Sequence, residues 1–264
     1  MQVGISQLIA PELSNEQFFA TARDNGYEVV ELCMRAQGPL SGQTPPAELD
    51  AVAELSRAHG LPIVSLTLNH WGGNLLAAGA EQETAIADTI AGLEAAARLG
   101  APVVLHTLGR FASDLYYDDA YRNAVAGLRR LAAVAARLRV AIAFEFVWNG
   151  FLFSPLEAAR FLDEVGSGHV GFYFDPGNMA VFQFPHHWAR ILGRRILRVH
   201  MKDWKGGALH GQWTPLLQGG VEFGKVMAEL RAAGYNGPLI SEVPASLAPL
   251  ADTAAAIRRI IALQ

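Results

Sequence analysis

Six short stretches of the chain each close an apolar run with a residue able to hold a metal or move a proton. They are "LTLNHWGG" with His70, "VVLHTLGR" with His106, "AFEFVWNG" with Glu145, "FYFDPGN" with Asp175, "RVHMKDW" with His200 and Lys202, and "LISEVP" with Glu242. An unpaired charge buried in such a run costs several kcal/mol, so each carboxylate requires a partner. Three carboxylates and an imidazole brought together would repel or stay partly protonated without a cation, and a divalent ion removes that conflict. Three oxygen donors and one nitrogen, with no thiolate, favour Mn2+ or Mg2+, although Zn2+ and Co2+ also accept such a set. Glu145, Asp175, His200 and Glu242 are therefore candidate ligands for one ion. His70, His106 and Lys202 are candidate substrate contacts beside it. Trp71, Trp148, Phe151 and Trp204 lie near the same stretches and are placed to wall a pocket.

The positions of these residues follow from the elements that carry them. One unit recurs: an amphipathic helix ending in glycine, then a short β-rich run. It appears as "ARDNGYEVVELCM", "SRAHGLPIVSLTL", "AARLGAPVVLHTL" and "LRAAGYNGPLISEV". Gly26, Gly60, Gly100 and Gly234 stand where a helix end takes the left-handed conformation. Helical stripes such as Val125, Leu128, Leu131, Val134 and Leu138 fill the intervals. "SNEQ" at 14–17 and "SPLE" at 154–157 read as capping boxes. Strands are expected near 2–7, 27–33, 62–68, 102–107, 140–147, 170–175, 196–202 and 238–243. They are nearly all apolar, as for a parallel sheet covered on both faces. Eight alternating units in 264 residues describe a single-domain α/β (β/α)8 TIM barrel over 1–264, whose site lies at the C-terminal ends of the strands. All six stretches end there; the first two strands add less, Gln7 and Glu31. An open doubly wound sheet would call for a G-x-G-x-x-G turn, and the chain has none. His59 suits the dipole at a helix C-terminus, His169 lies at the opposite end of the barrel, and His186, His187 and His210 read as surface residues.

The totals narrow the class. A formal charge of −4 gives no electrostatic footprint for nucleic acid, and no apolar run is long enough for a membrane span. The first residues lack a basic segment followed by an apolar one, so no signal peptide is expected. Cys33 is the only cysteine, which forbids an intrachain disulfide and points to a reducing cytoplasm. Homo-oligomerisation is left open.

Taken together, "FEF" around Glu145, "FDPGN" at 174–178, "VHMKDW" at 199–204 and "YNGPLISEV" at 235–243 resemble the xylose-isomerase-like barrel superfamily, the sugar (phosphate) isomerase/epimerase group. The resemblance covers essentially the whole chain. It implies a metal held by Glu145, Asp175, His200 and Glu242, with Glu145 and Glu242 also the acid/base pair. The chain departs from the ketose 3-epimerases of that group at three places. Phe151 stands where they carry a second glutamate, Asn178 where they often carry a histidine, and Gly206 where they carry an arginine. Asn178 remains a candidate substrate contact. The "DPGN" and "HMKD" forms look more like the inosose, hydroxypyruvate and uncharacterised sugar-isomerase branches.

The activity implied is a metal-dependent isomerisation or epimerisation of a ketose or keto-polyol through an enediolate. The same chemistry followed by loss of a β-hydroxyl would make a lyase of inosose or 3-dehydroshikimate dehydratase type. An apurinic endonuclease-like enzyme would need further histidine ligands, which Asn178 and "LHGQW" do not supply, and a non-catalytic binding protein would have no use for both glutamates. The expected partner is a small sugar or keto-polyol, without a phosphate: Arg110 and Lys205 are the only cations besides Lys202 placed near the rim.

Overall fold

A computed structural model of the chain describes residues 1–70, 73–208 and 210–263, the side chains of 69 and 70 excepted. Eight parallel strands close into a barrel: β1 (Val3–Ser6), β2 (Val29–Arg35), β3 (Ile63–His70), β4 (Val103–His106), β5 (Ala141–Glu145), β6 (Val170–Phe174), β7 (Ile196–Met201) and β10 (Leu239–Ser241). Each expected strand is present, and the circle is closed by β1 pairing with β10 through Val3–Leu239, Gly4–Ile240 and Ile5–Ser241. Two further strands, β8 (Asp203–Lys205) and β9 (Gln212–Thr214), form a hairpin outside the barrel. The sequence pattern shows no sign of it, because three-residue strands carry no readable alternation.

The helices that cover the barrel are α1 (Asn15–Asp24), α2 (Pro46–His59), α3 (Gly79–Leu99), α4 (Tyr117–Leu138), α5 (Pro155–Val165), α7 (Pro185–Leu192), α8 (Phe223–Ala232) and α9 (Leu250–Ala262), with the short α6 (Pro176–Ala180) after β6. None among the described residues is long and apolar enough to cross a membrane. In α4, Val125, Leu128 and Leu131 are buried with Ala120, Ala124 and Ala135; each large side chain so buried contributes about 1.5–3 kcal/mol. Gly26, Gly60, Gly100 and Gly234 have φ of +77, +64, +75 and +79°, the left-handed stops expected. The Ser14–Gln17 capping box forms. The one expected at Ser154 does not: the Ser154 hydroxyl makes no capping bond, and the Glu157 carboxylate instead accepts from the Tyr117 hydroxyl at 2.7 Å. Pro155 alone starts α5, with its φ already helical.

The core has two parts. The larger lies between barrel and helices. The smaller lies inside the barrel, where Val103, Leu105, Ala143, Tyr173 and Ile240 form an apolar floor with Val64, Ala141 and Leu197. Above this floor the inward residues turn polar. Gly171 of β6 keeps the floor closed, because a Cβ there would lie 2.5 Å from Leu197 Cγ and 2.7 Å from the Arg195 carbonyl. Gly171→Ala is expected to destabilise the protein by about 1–3 kcal/mol through overpacking. Gly168→Ala, where a Cβ meets nothing within 4 Å, should stay within about 0.5 kcal/mol of the parent. Urea unfolding midpoints of the two variants check this, and equal midpoints would contradict it.

Candidate metal centre

The site is built by strand parity. Inward residues alternate along a parallel strand, so Glu145 closes β5, His200 sits one residue before the end of β7, and Glu242 follows β10 directly. All three point over the apolar floor and are buried or nearly so. Asp175 follows β6 and serves twice. Its Oδ1 accepts from the Gly177 and Asn178 amides at 2.8 and 3.1 Å and so caps α6, with Pro176 at the first helical position. Its Oδ2 is buried, has no directed hydrogen bond, and lies 2.7 Å from the Lys202 ammonium. The "DPGN" turn is thus explained residue by residue. Gly177 is required because a Cβ would come 2.5 Å from Lys202 Cβ, and Asn178 donates through Nδ2 to the Phe146 carbonyl at 3.1 Å. That bond ties α6 to the end of β5.

One ligand atom from each of Glu145, Asp175, His200 and Glu242 lies within 4.8 Å of the others. His200 Nδ1 is 2.9 Å from Glu145 and 3.5 Å from Glu242. Lys202 reaches Glu242 at 2.5 Å as well as Asp175. Three buried carboxylates, one imidazole and an Asp175 oxygen without a directed donor fit a divalent ion by donor chemistry and by proximity.

The electrostatics follow from this crowding. Burial works against the charged form of His200, but Glu242, Glu31 and Glu145 outweigh it and hold the imidazolium well above its usual range. Lys202 is likewise held well above the ordinary lysine range, since Asp175, Glu242 and Glu145 overcome the cost of burial. Burial pushes the Glu145 carboxyl up to about 7 although His200 pulls it down, and the Glu242 charge adds to the rise. Burial would raise Glu31 too, but His200, Tyr173 and Ser6 bring it down to about 2.

The remaining sequence-selected residues divide. Trp148 stands at the rim, half exposed, stacked on Trp213 at 5.3 Å and 3°, with its indole N–H donating to the Asn178 carbonyl at 3.1 Å. Trp204 is buried beside both. Phe151 is not part of this wall; it is buried against Phe111, Tyr117 and Phe161. His106 is a correction. Its Nε2 meets Thr89 of α3 at 3.2 Å and its Nδ1 accepts from the Leu108 amide at 2.8 Å, so the ring faces outward to the helix layer. The cause is parity: Val103 and Leu105 point in, and the next residue must point out. The His70 side chain and Trp71 lie outside the described residues.

Two residues deserve more weight than the sequence suggested. Trp213, on β9, packs under Lys202 Nζ at 5.4 Å. Glu31, fully buried in β2, lies 2.9 Å from His200 Nε2. The available signal for Glu31 was a lone charge inside "VVELCM", which demanded a partner without naming it.

Known proteins resemble this chain in sequence and in fold. A family model described as xylose isomerase-like TIM barrel matches residues 19–263. L-ribulose-5-phosphate 3-epimerase UlaE of Escherichia coli is 27% identical over 150 residues, 54% of this chain and 52% of that protein. The chain thus spans about half the length of the curated relatives it matches. Among solved structures, 3-keto-D-glucoside 4-epimerase YcjR of E. coli aligns with a TM-score of 0.80 at 18% identity, over 98% of this chain and 99% of that one. D-psicose 3-epimerase of Clostridium cellulolyticum aligns with a TM-score of 0.82 at 14% identity, over 100% and 99%. At such identities the structural likeness concerns the fold; the family match, covering nearly the whole chain, goes further. The chain belongs to the xylose isomerase-like TIM barrel family.

Proposed function

We propose that this protein is a divalent-metal-dependent isomerase or epimerase of a small keto sugar or keto-polyol, with Glu145, Asp175, His200 and Glu242 as the ligands. The observation that carries this reading is the convergence of Glu145 and Glu242 on one atom, His200 Nδ1, from strands on either side of β7. Two carboxylates so placed can flank one carbon of a bound substrate. The epimerases named among the relatives and structural neighbours support the reaction class.

A bound divalent ion would supply the positive charge that makes the carbon beside a carbonyl acidic. The chain's own groups then move the proton. One glutamate takes it from that carbon, and its partner returns a proton. Return to the opposite face of the same carbon inverts it; return to the neighbouring carbon, with a proton passed between the two oxygens, exchanges ketone and alcohol. Epimerisation leaves every oxidation state unchanged, and the exchange of ketone and alcohol oxidises one carbon as it reduces its neighbour, so neither needs an external oxidant or reductant. Burial holds the Glu145 carboxyl up to about 7 in the ion-free protein, and a bound cation would favour its ionised, proton-accepting form. Lys202 can steady negative charge on substrate oxygen. The Trp148, Trp204 and Trp213 cluster limits access of water from that side.

The substrate's distal end has room in a cleft of about 640 Å³ beside Glu242 and Lys202, lined by Leu8, Ile9, Trp213, Thr214 and Leu247 among others. Lys202 is the one cation among its described lining residues, and two carboxylates already engage it. Among the described residues a phosphate dianion finds no free cation there, so the reading favours an unphosphorylated substrate. UlaE is named for a phosphate ester, which makes the comparison worth measuring. Turnover of a free ketose should equal or exceed that of its phosphate ester, and a preference above about tenfold for the ester, roughly 1.4 kcal/mol, would reverse the choice.

Two more outcomes test the chemistry. Glu145→Gln and Glu242→Gln should each abolish deuterium incorporation from solvent into the substrate carbon, or confine it to one face, as followed by NMR. Retention of parental exchange by both variants would move proton transfer to other groups. Metal uptake should also release protons. His200 must give up the proton on its metal-facing nitrogen, and Glu145 must be ionised. The ion-free protein therefore binds more protons, so apparent affinity rises with pH and falls as pH drops below about 7. Titration calorimetry of Mn2+ in two buffers of different ionisation enthalpy measures the released protons. Equal heats in both buffers would show that none leave.

A further inference from the structure

A carboxylate in the barrel interior, in contact with the candidate ligand His200, has an unusual share of hydrogen bonds. Glu31 is completely buried. Its Oε1 accepts from the Ser6 hydroxyl at 2.7 Å and faces His200 Nε2 at 2.9 Å. Its Oε2 accepts from the Ser65 hydroxyl at 2.7 Å and the Tyr173 hydroxyl at 2.5 Å. Strands β1, β3, β6 and β7 thus all send a side chain to this one carboxylate of β2. Ser6, Ser65 and Tyr173 are themselves fully buried, so nothing in this node is held by solvent.

The node bears on His200 in two ways. The Tyr173 ring packs against the imidazole, centroids 4.3 Å apart at 40°, which restricts the ring's tilt. The Glu31 carboxylate, with three hydroxyls already donating to it, has a remaining acceptor position that faces Nε2. An imidazole binds a metal through a nitrogen without a proton. A carboxylate beside one nitrogen keeps the proton there and leaves the other lone pair free. In the ion-free protein both nitrogens face a carboxylate, but Nδ1 is the one on the side of the candidate ligands, 2.9 Å from Glu145 and 3.5 Å from Glu242, and so the one that would give up its proton to an ion while Glu31 keeps the proton on Nε2. A purely structural role would be met by an apolar residue of similar size, since a buried carboxylate is costly to place.

We propose that Glu31 is a positioning residue for metal binding: it fixes the Nε2–H tautomer and orientation of His200, so that Nδ1 is presented toward Glu145, Asp175 and Glu242. Ser6, Ser65 and Tyr173 hold the carboxylate in register. This inference rests on the metal reading proposed above.

The test uses Co2+ affinity, measured by chelator competition on the full chain. Glu31→Gln keeps the shape and removes the charge; it should weaken Co2+ binding about 10- to 100-fold, with far-UV circular dichroism unchanged. In Zn2+-loaded protein, 15N NMR of His200 should show a proton on Nε2 and the metal on Nδ1, with the Nε2 proton far downfield in the parent and shifted upfield in Glu31→Gln. The parent spectrum decides the matter even if the variant does not fold. Parental Co2+ affinity in folded Glu31→Gln, or Zn2+ on Nε2 in the parent, overturns the role of Glu31 and leaves the metal site standing. A parent protein that binds neither ion overturns the metal reading and this inference with it.

Discussion

The structure turns on the placing of four carboxylates, Glu31, Glu145, Asp175 and Glu242, in the interior of one end of a barrel. Each removal from water is costly, and a buried pair remains favourable only when its lone pairs and protons are all satisfied. Two cationic side chains, His200 and Lys202, are ion-paired to these four. The charge left over is negative, the sign that a divalent cation relieves. Much of the local architecture serves to keep this concentration of charge in order: the α6 amides on Asp175, the hydroxyls on Glu31, and the glycine that lets α6 lie against Lys202.

A closed parallel barrel is suited to this arrangement. Its alternating side chains make an apolar floor of Val103, Leu105, Ala143 and Ile240, and the next layer up can be polar without opening the interior to water. Labour is divided around the ring. Elements on the β5, β6, β7 and β10 side supply the candidate ligands. The β1, β2 and β3 side supplies Glu31 and two of the hydroxyls that hold it. The wall of the site is built from outside the barrel, by the β8–β9 hairpin and the loop after β5, where Trp213 and Trp148 meet. Asp203 secures that hairpin's base by accepting from the Trp204, Gly219 and Val221 amides.

Much of this was legible in the chain itself, and the failures have physical causes. Apolar runs punctuated by left-handed glycines marked the eight strands, and their ends marked Glu145, Asp175, His200 and Glu242, because in a barrel the end of a strand is also a place in space. His106 ended a run equally well yet faces outward, since a position at the end of a strand does not settle its parity. The Ser154 capping box failed because Tyr117, distant in sequence, engages Glu157. Glu31 could be recognised as a charge in need of partners, but its partners come from four other strands, and such pairing is a property of closure that no local pattern carries. The β8–β9 hairpin is too short to impose a period. Phe151 looked like a rim aromatic, while its neighbours Phe111 and Phe161 bury it in a cluster of their own.

The tryptophans at the rim have an optical consequence. Of the five in the chain, three sit with ring centroids 5.0–5.8 Å apart, two of them nearly parallel and the third close to perpendicular to both. Indoles this near share their excitation, and a fixed relative orientation makes that sharing chiral. The cluster should dominate the near-ultraviolet circular dichroism of the whole molecule, and the Lys202 ammonium over the Trp213 face couples its emission to charge inside the site. The protein thus carries a built-in chromophore at the mouth of its barrel, whose signal changes with whatever enters.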